Sequence, residues 1–275
     1  MTRWKEVLSM GNMSSNPYVP FPSKIREIIR HTEKEYTFRM SFTGDVKPGQ
    51  FFEVSVPRYG EAPISVSGIG EDFVDLTIRK VGRVTNEVFE KGEGRTLLLR
   101  GPYGNGFDTS LYEDGEVIVI AGGTGVSPVR GVIDALAGTS APKDKHVIVG
   151  FRSPSDMLFR DDLKRWDEAL DLILTVDGAP EGYEGRIGLV TKYIPEVEIR
   201  DVANAKAVVV GPPPMMRFSV KDLLAKGFRE ENIWISQERK MCCGLGKCGH
   251  CRIGETYVCL DGPVFNYSES KNMLD

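Results

Sequence analysis

The chain has 275 residues, 41% hydrophobic and 27% charged, with 35 Lys and Arg against 39 Asp and Glu for a net charge of −4. That length can bury more than one core, so two or three compact units are expected, and the slightly acidic balance offers no general attraction for a phosphate backbone, which argues against a nucleic-acid partner. No apolar run reaches the roughly 18 to 20 residues that a bilayer span needs, and the opening residues lack the apolar core of a signal peptide, so a cytoplasmic chain with no membrane partner is expected.

Residues 1–17 interleave Trp4, Val7, Leu8, Met10 and Met13 with polar residues and have no evident place in the pattern that follows. They are expected to form a tail, either free or ordered on a partner by aromatic anchors. Over 18–112 the chain changes to short strand-like runs, EYTFRMSF, QFFEVSVP, APISVSG, DFVDLTIRKVG and RTLLLRGP, punctuated by glycine and proline. Closely spaced strands with turn signals predict a small antiparallel β-barrel, although periodicity alone admits any all-β domain.

The character changes again over 113–236. GEVIVIAGGTGVSPVRGVIDALAG runs from an apolar strand through a glycine-rich turn into an amphipathic helix, an arrangement that aims a helix N-terminus at a phosphate. HVIVGFR with SDMLFRDDLKRWDEAL, and LILTVDG with RIGLVTKYI, repeat the alternation ahead of AKAVVVGPPPMMRFSVKDLLAKG. Alternating strands and helices predict an α/β domain on a parallel sheet. GGTGVSP is not the G-x-G-x-x-G fingerprint, and on its own it would serve equally as an ordinary strand-to-helix turn.

All five cysteines fall in the C-terminal stretch, 237–275, and the first 241 positions have none. In a reducing compartment, cysteines this dense are metal ligands more often than disulfides. Cys243, Cys248, Cys251 and Cys259 read C-x4-C-x2-C-x7-C, the plant-type pattern for a 2Fe-2S cluster. The glycines of GLGKCGHCRIG let backbone N–H groups turn toward sulfur. Four thiolates could instead hold zinc, whose structural sites usually use two C-x2-C knuckles where this loop has one. Cys242 could replace Cys243 in a C-x5-C variant or be a packed, non-ligating thiol, and His250 between the ligands reads as solvated.

The order of these motifs resembles the ferredoxin-reductase family of flavin and pyridine-nucleotide electron-transfer proteins over roughly residues 20–275. APISVSG (62–68) occupies the place of the family's flavin motif, VGRVT (81–85) resembles the loop that holds the flavin pyrophosphate, and GPYGNGF (101–107) resembles the turn leaving the barrel. GGTGVSP (122–128) and VGPPPMM (210–216) resemble its two nicotinamide-nucleotide loops. With the C-terminal cysteines added, the pattern is similar to the electron-transfer subunits of dihydroorotate dehydrogenase, sulfhydrogenase and anaerobic sulfite reductase. It is nearest to the sulfite reductase type in GEAPISVS, AGGTGVSPV, VGPPPMM and GKCGHCRIGETYVCLDGPVFNYS. Two positions depart from the family: Ala62 replaces an arginine that usually precedes the flavin motif, and Val210 stands where simpler reductases carry a cysteine.

The resemblance implies an antiparallel barrel binding FAD, a parallel-sheet α/β domain binding NADH, and a small iron–sulfur lobe. It implies FAD contacts along Pro63, Ile64, Ser65 and Val66, with Ser65 the catalytic neighbour of the flavin N5 atom, and at Arg79, Gly82, Val84 and Thr85, Arg79 substituting for the absent arginine. NADH would meet Gly122, Gly123, Thr124 and Gly125, and Gly211, Pro212 and Pro213. Arg152 and Asp156 lie together in GFRSPSDMLF and leave the 2′-phosphate question open, since a phosphate needs cations and a 2′-hydroxyl suits a carboxylate; the resemblance favours NADH. Asp177 and Glu238 are further carboxylates that could touch the nicotinamide ribose or order the cysteine loop. NADH gives two electrons at once and a 2Fe-2S cluster takes one, so FAD is expected between them. No Ser-His-Asp constellation, paired carboxylates or histidine-rich metal site points to another chemistry. The expected function is an NADH-oxidising subunit that delivers single electrons to iron–sulfur or siroheme subunits of a sulfite reductase complex. The same subunit in a sulfhydrogenase or dihydroorotate dehydrogenase complex is an alternative, and a zinc-stabilised nucleotide-binding regulatory module is another.

Overall fold

The computed structural model describes residues 16–274; the expected docking role of the N-terminal tail falls almost entirely on residues outside that range. A closed antiparallel barrel is built from β1 (Phe21–Arg30), β2 (Glu35–Ser41), β3 (Phe51–Val56), β4 (Gly60–Ile69), β5 (Phe73–Arg79) and β6 (Thr96–Tyr103), paired in the order β1-β2-β5-β4-β3-β6. Alternation decides which side chains fill it. Phe52, Val54 and Val56 on β3 and Val74, Leu76 and Ile78 on β5 point inward and pack with Ile25, Phe38, Met40 and Leu99, while Phe51, Glu53 and Asp75 fall on the outer wall. The short helix α1 (Arg83–Phe89) joins β5 to β6 and adds Val88 to the core. The run FPSKIREIIR was not among the expected strands. A register shift between Ile25 and Glu27 moves the side-chain alternation of β1 by one residue, which breaks the period by which a strand is read.

The second unit is a sheet of β7 (Val117–Gly122), β8 (Lys145–Phe151), β9 (Asp171–Val176), β10 (Arg186–Ile187), β11 (Lys206–Val210) and β12 (Ile233–Ser236), all parallel, in the order β10-β9-β8-β7-β11-β12. Every residue of β7 and β8 is buried. Helices α2 (Val126–Ala137) and α3 (Arg160–Ala169) cover one face through Val129, Ile133, Leu163 and Trp166. Helices α4 (Val190–Tyr193) and α5 (Pro213–Lys226) cover the other through Val190, Met216, Val220 and Leu223. Burial on both faces is why these strands read as continuous apolar runs.

After β12 the cysteine loop leads into a two-residue hairpin, β13 (Arg252–Ile253) with β14 (Thr256–Tyr257), then α6 (Val258–Asp261). Strand β15 (Val264–Asn266) returns to the parallel sheet and pairs antiparallel with β12, Ile235 opposite Phe265, ahead of α7 (Tyr267–Ser270). Asn105, in the loop leaving the barrel, donates through Nδ2 to the Val264 carbonyl (2.7 Å) and accepts from the Val264 N–H (3.2 Å), so the cysteine lobe is tied to both larger units. Among the described residues, no helix is long and apolar enough to cross a membrane.

Barrel and sheet are joined by charge. Arg130 of α2 donates to the carbonyl of Ser67 on β4 (3.0 Å) and to Asp162 of α3 (2.8 Å), and approaches Asp75 on the outer wall of β5 at 3.4 Å. Asp75 is 2% exposed and also takes two hydrogen bonds from Arg39 (2.9 and 3.1 Å). A Cβ at Gly68 would fall 2.6 Å from Arg130 Nη1, so this close approach requires glycine. His31 completes the seam: Nδ1 accepts from the Phe159 N–H (3.3 Å), Nε2 lies 2.7 Å from Thr37 Oγ1, and the two rings are 4.6 Å apart.

Two outcomes follow from this seam. Arg130→Met leaves Asp75 to Arg39 and Asp162 to Arg165 as their remaining cations and is expected to cost about 1–3 kcal/mol in urea unfolding, whereas Arg165→Met, at an exposed ion pair, stays within about 0.5 kcal/mol. Burial, helped by Arg130 and opposed by Asp162 and Asp75, lowers the His31 pKa to about 4. Between that value and the ordinary 6.5 the unfolded chain binds the extra proton, so stability is full above pH 6.5 and is lost as pH falls toward 4, by about 3 kcal/mol in total. His31→Gln should flatten that slope in unfolding curves taken at pH 7 and pH 4.5; an unchanged slope would assign it to other groups.

Candidate active site

The cysteine loop is shaped by left-handed glycines. Gly244 (φ +72) and Gly246 (φ +66) turn the chain so that its N–H groups face sulfur. Leu245 and Lys247 each donate to Cys243 Sγ (3.4 Å), and Gly246 donates to Cys259 Sγ (3.1 Å). Cys251 and Cys259 are buried with their sulfurs 3.3 Å apart, Cys243 is half-buried, and Cys242 and Cys248 are exposed. The His250 N–H, with the hydrogen bond to Cys243, holds Cys248 below the ordinary thiol range, while burial pushes Cys259 up to about 12. A set of soft sulfur donors with N–H groups already aimed at them fits an iron–sulfur group.

The lobe packs on the outer wall of the barrel. Phe51, Tyr103, Met241, Cys251, Val258 and Cys259 form one apolar cluster, with the Phe51 and Tyr103 rings 5.7 Å apart. In the β3–β4 ladder Phe51 is opposite Ser65 and Glu53 is opposite Pro63. Opposed residues share a face, so Ser65 and Pro63 lie on the wall that carries the cysteine lobe. Ile64 and Val66 turn into the barrel core instead and leave only their backbone for a ligand.

At the foot of β5, Gly82 precedes α1 in an extended conformation and Thr85 ties the loop down: its Oγ1 accepts from the N–H groups of Val81 (3.1 Å) and Gly82 (2.9 Å) and donates to the Gly82 carbonyl (3.2 Å). That hydroxyl therefore shapes the loop, and Val84 packs against the barrel core. Arg79 points away from the loop, pairs with Glu35 at 2.9 Å, and lines a cavity of about 560 Å³ between barrel and sheet.

Gly122, Gly123, Thr124 and Pro212 form part of that cavity's wall at the C-terminal ends of β7 and β11, with Arg152, Asp156 and Asp177 at the ends of β8 and β9. Carboxyl-end crevices of this kind are where open α/β sheets bind ligands. Gly125 and Gly211 lie underneath. A Cβ on Gly125 would be 2.6 Å from the Val210 carbonyl and one on Gly211 would be 2.7 Å from the Met215 side chain. Pro213 opens α5 behind them. Desolvation raises the Asp177 carboxyl above its ordinary range while Arg152 draws it down. Glu238 is exposed at the start of the cysteine loop. A second cavity, about 260 Å³ between Tyr112 and Leu136, holds none of the expected residues. Sequence reasoning missed Glu35 and the group of buried Glu53 and Arg100 with half-buried Glu61, because nothing in RTLLLRGP, QFFEVSVP or GEAPISVS says which outward side chains another lobe will cover.

Residues 119–221 match the family model of the oxidoreductase NAD-binding domain, and residues 238–270 match the iron–sulfur cluster binding domain of dihydroorotate dehydrogenase B. The chain is 35% identical to sulfhydrogenase 2 subunit gamma of Pyrococcus furiosus, over 92% of this chain and 96% of that one. It is 31% identical to a protein of Thermoplasma volcanium named "Probable dihydroorotate dehydrogenase B (NAD(+)), electron transfer subunit", over 90% and 89%. Among solved structures, a chain described under the NADH-dependent reduced ferredoxin-NADP oxidoreductase superposes with a TM-score of 0.73 at 25% identity, covering 94% of this chain and 91% of that one. These relatives support the broader family rather than sulfite reductase in particular. The chain belongs to the family of electron-transfer subunits, built on a ferredoxin-reductase-like body with a C-terminal iron–sulfur binding domain, that includes the sulfhydrogenase gamma and dihydroorotate dehydrogenase B subunits.

Proposed function

We propose that this chain is the NADH-oxidising subunit of a multi-subunit oxidoreductase, holding FAD on the barrel and a 2Fe-2S cluster on Cys243, Cys248, Cys251 and Cys259. The observation that carries the reading is the arrangement on β3 and β4: Ser65 of the flavin-motif strand is one ladder position from Phe51, which packs with Cys251 and Cys259. The nucleotide cavity opens at the other seam of the barrel. The single C-x2-C knuckle, Cys248 to Cys251, and the iron–sulfur domain match over residues 238–270 support a cluster over a structural zinc, whose sites usually use two such knuckles.

When bound, the flavin accepts a hydride and the cluster takes electrons singly. The chain's part is to hold and shield. Ser65 and the backbone from Pro63 to Val66 would border the flavin ring, and the first turn of α1, opened by Gly82, would face its pyrophosphate. The apolar layer of Phe51, Tyr103 and Met241 beside Cys251 and Cys259 would exclude water between the two groups. Gly122 to Thr124 and Pro212 cradle the nicotinamide nucleotide, and Arg79 with Glu35 closes the cavity from the barrel side. Arg152 is balanced by Asp156 and Asp177 on the same wall, so the pocket carries no surplus of positive charge for a 2′-phosphate and favours NADH.

The terminal acceptor belongs to the partner. The identities of 35% and 31% favour a partner of the sulfhydrogenase or dihydroorotate dehydrogenase type, and the run GKCGHCRIGETYVCLDGPVFNYS favours a sulfite-reducing one. Co-purification of the native complex, followed by NADH-driven reduction of sulfite, orotate or protons, separates these; NADH oxidation coupled to none of the three would defeat all of them.

Cys243→Ser, Cys248→Ser, Cys251→Ser and Cys259→Ser are each expected to lower iron from about two atoms per chain to near zero with flavin retained, and Cys242→Ser to keep both. Full iron in Cys248→Ser would overturn the ligand set. Asp177→Asn should improve kcat/KM for NADPH relative to NADH by about tenfold, roughly 1.4 kcal/mol; an unchanged ratio would remove Asp177 from the adenosine pocket.

A further inference from the structure

Arg100 is the most completely engaged charged group outside the two cofactor regions. It lies on the outer face of β6, 4% exposed, and a guanidinium has five N–H donors in a fixed fork. Nε and Nη2 bind the two carboxylate oxygens of Glu61 at 2.9 and 2.5 Å. Nη1 donates to the Tyr103 hydroxyl (3.0 Å) and the Cys243 carbonyl (3.0 Å), and Nη2 donates its other hydrogen to the Cys242 carbonyl (3.1 Å). All five donors are used, and they connect two places of interest. Glu61 immediately precedes Ala62 and Pro63 on the flavin-motif strand, while Cys242 and Cys243 begin the cysteine loop. Glu53, opposite Arg100 in the β3–β6 ladder, is fully buried, and neither of its carboxylate oxygens has a hydrogen-bond partner among the described residues.

We propose that Arg100 is a positioning residue that fixes the first cysteine ligand against the flavin strand and, as a buried positive charge at that ligand's carbonyl, raises the reduction potential of the cluster, with Glu61 partly offsetting it. The inference rests on the functional reading above. The step concerned is the transfer of one electron from the flavin side to the cluster: the centre gains one negative charge, and Arg100 makes and breaks no covalent bond. A charge held in this dry layer is poorly screened, so its effect on the added electron persists at physiological salt. Lysine could supply the charge but not the fork, which separates the electrostatic part from the geometric one.

The test uses the full chain with both cofactors loaded: wild type, Arg100→Gln, Arg100→Lys, Glu61→Gln, and Arg200→Gln as an exposed control. Iron and flavin content, the midpoint potential of the cluster and its electron paramagnetic resonance spectrum are measured. Arg100→Gln should shift the potential downward by enough to cut the ratio of reduced to oxidised cluster about tenfold at the wild-type midpoint, about 59 mV for one electron. Arg100→Lys should regain most of the potential while its spectrum stays altered, and Glu61→Gln should shift the potential upward. Arg200→Gln should match wild type. An iron-replete Arg100→Gln protein with wild-type potential and spectrum overturns the inference and leaves the functional reading intact. If Arg100→Gln cannot hold iron, an unshifted potential in Glu61→Gln together with a wild-type spectrum in Arg100→Lys overturns it. Wild-type protein reconstituted without any iron overturns the functional reading and the inference together.

Discussion

Asp75 and Arg100 lie on the outer wall of the barrel, where water would ordinarily reach them, and both are almost wholly buried because that wall is covered from two sides. The sheet domain covers β4 and β5 through Arg130, and the cysteine lobe covers β3 and β6 through Phe51 and Tyr103. Charges removed from water in this way must be matched nearly atom for atom, or the desolvation penalty exceeds the attraction. Arg130 meets Asp75, Asp162 and the Ser67 carbonyl, and Arg100 meets Glu61, Tyr103 and two cysteine carbonyls. Such pairs add little net stability compared with apolar packing, but they tolerate few alternative geometries. The placement of β4 between the nucleotide cavity and the cysteine loop depends on them.

Around that strand the nucleotide crevice and the cysteine loop are shaped by opposite means. The nucleotide crevice relies on small residues and backbone: Gly122, Gly125 and Gly211 let the loops after β7 and β11 come within contact distance, which any side chain would prevent. The cysteine loop relies on curvature, with left-handed glycines turning N–H groups toward Cys243 and Cys259. In both, backbone geometry sets the local shape: close approach of two loops in the crevice, and N–H groups turned toward sulfur in the cysteine loop.

The lobe is also less separate than its sequence suggests. Its last strand completes the edge of the parallel sheet, and Asn105 clips that strand to the loop leaving the barrel. At the N-terminal end of the described chain, the Pro17 carbonyl accepts a hydrogen bond from the Tyr103 hydroxyl (2.5 Å), and Lys247 of the cysteine loop lies over the Tyr18 ring. The barrel, the cysteine lobe and the N-terminal end of the described chain therefore meet at Tyr103, the last residue of the barrel, and movement of the cysteine loop relative to the barrel would require several of these contacts to break together.

Local patterns were enough to read much of this from sequence. The apolar runs VIVIAG and HVIVG, each followed by glycine and a helix, announced a parallel sheet because burial on both faces leaves no polar alternation. The spacing of the cysteines announced an iron–sulfur type of C-terminal domain, which the match over residues 238–270 supports. Strand β1 escaped because its bulge breaks the period. Arg79 could be seen beside the VGRVT loop, but not that it turns to Glu35 and the nucleotide cavity. The hydroxyl of Thr85 could be placed in a phosphate-type loop, but not that it is spent on its own backbone. Glu53, Glu61 and Arg100 carry no signal in sequence, since an outward charge on a strand is ordinarily solvated. The sequence determined the elements and the iron–sulfur type of the C-terminal domain, because both are written in patterns among neighbours within a few residues. Only the tertiary structure decided which outward charges are buried, because that depends on surfaces more than a hundred residues apart coming to cover the same wall.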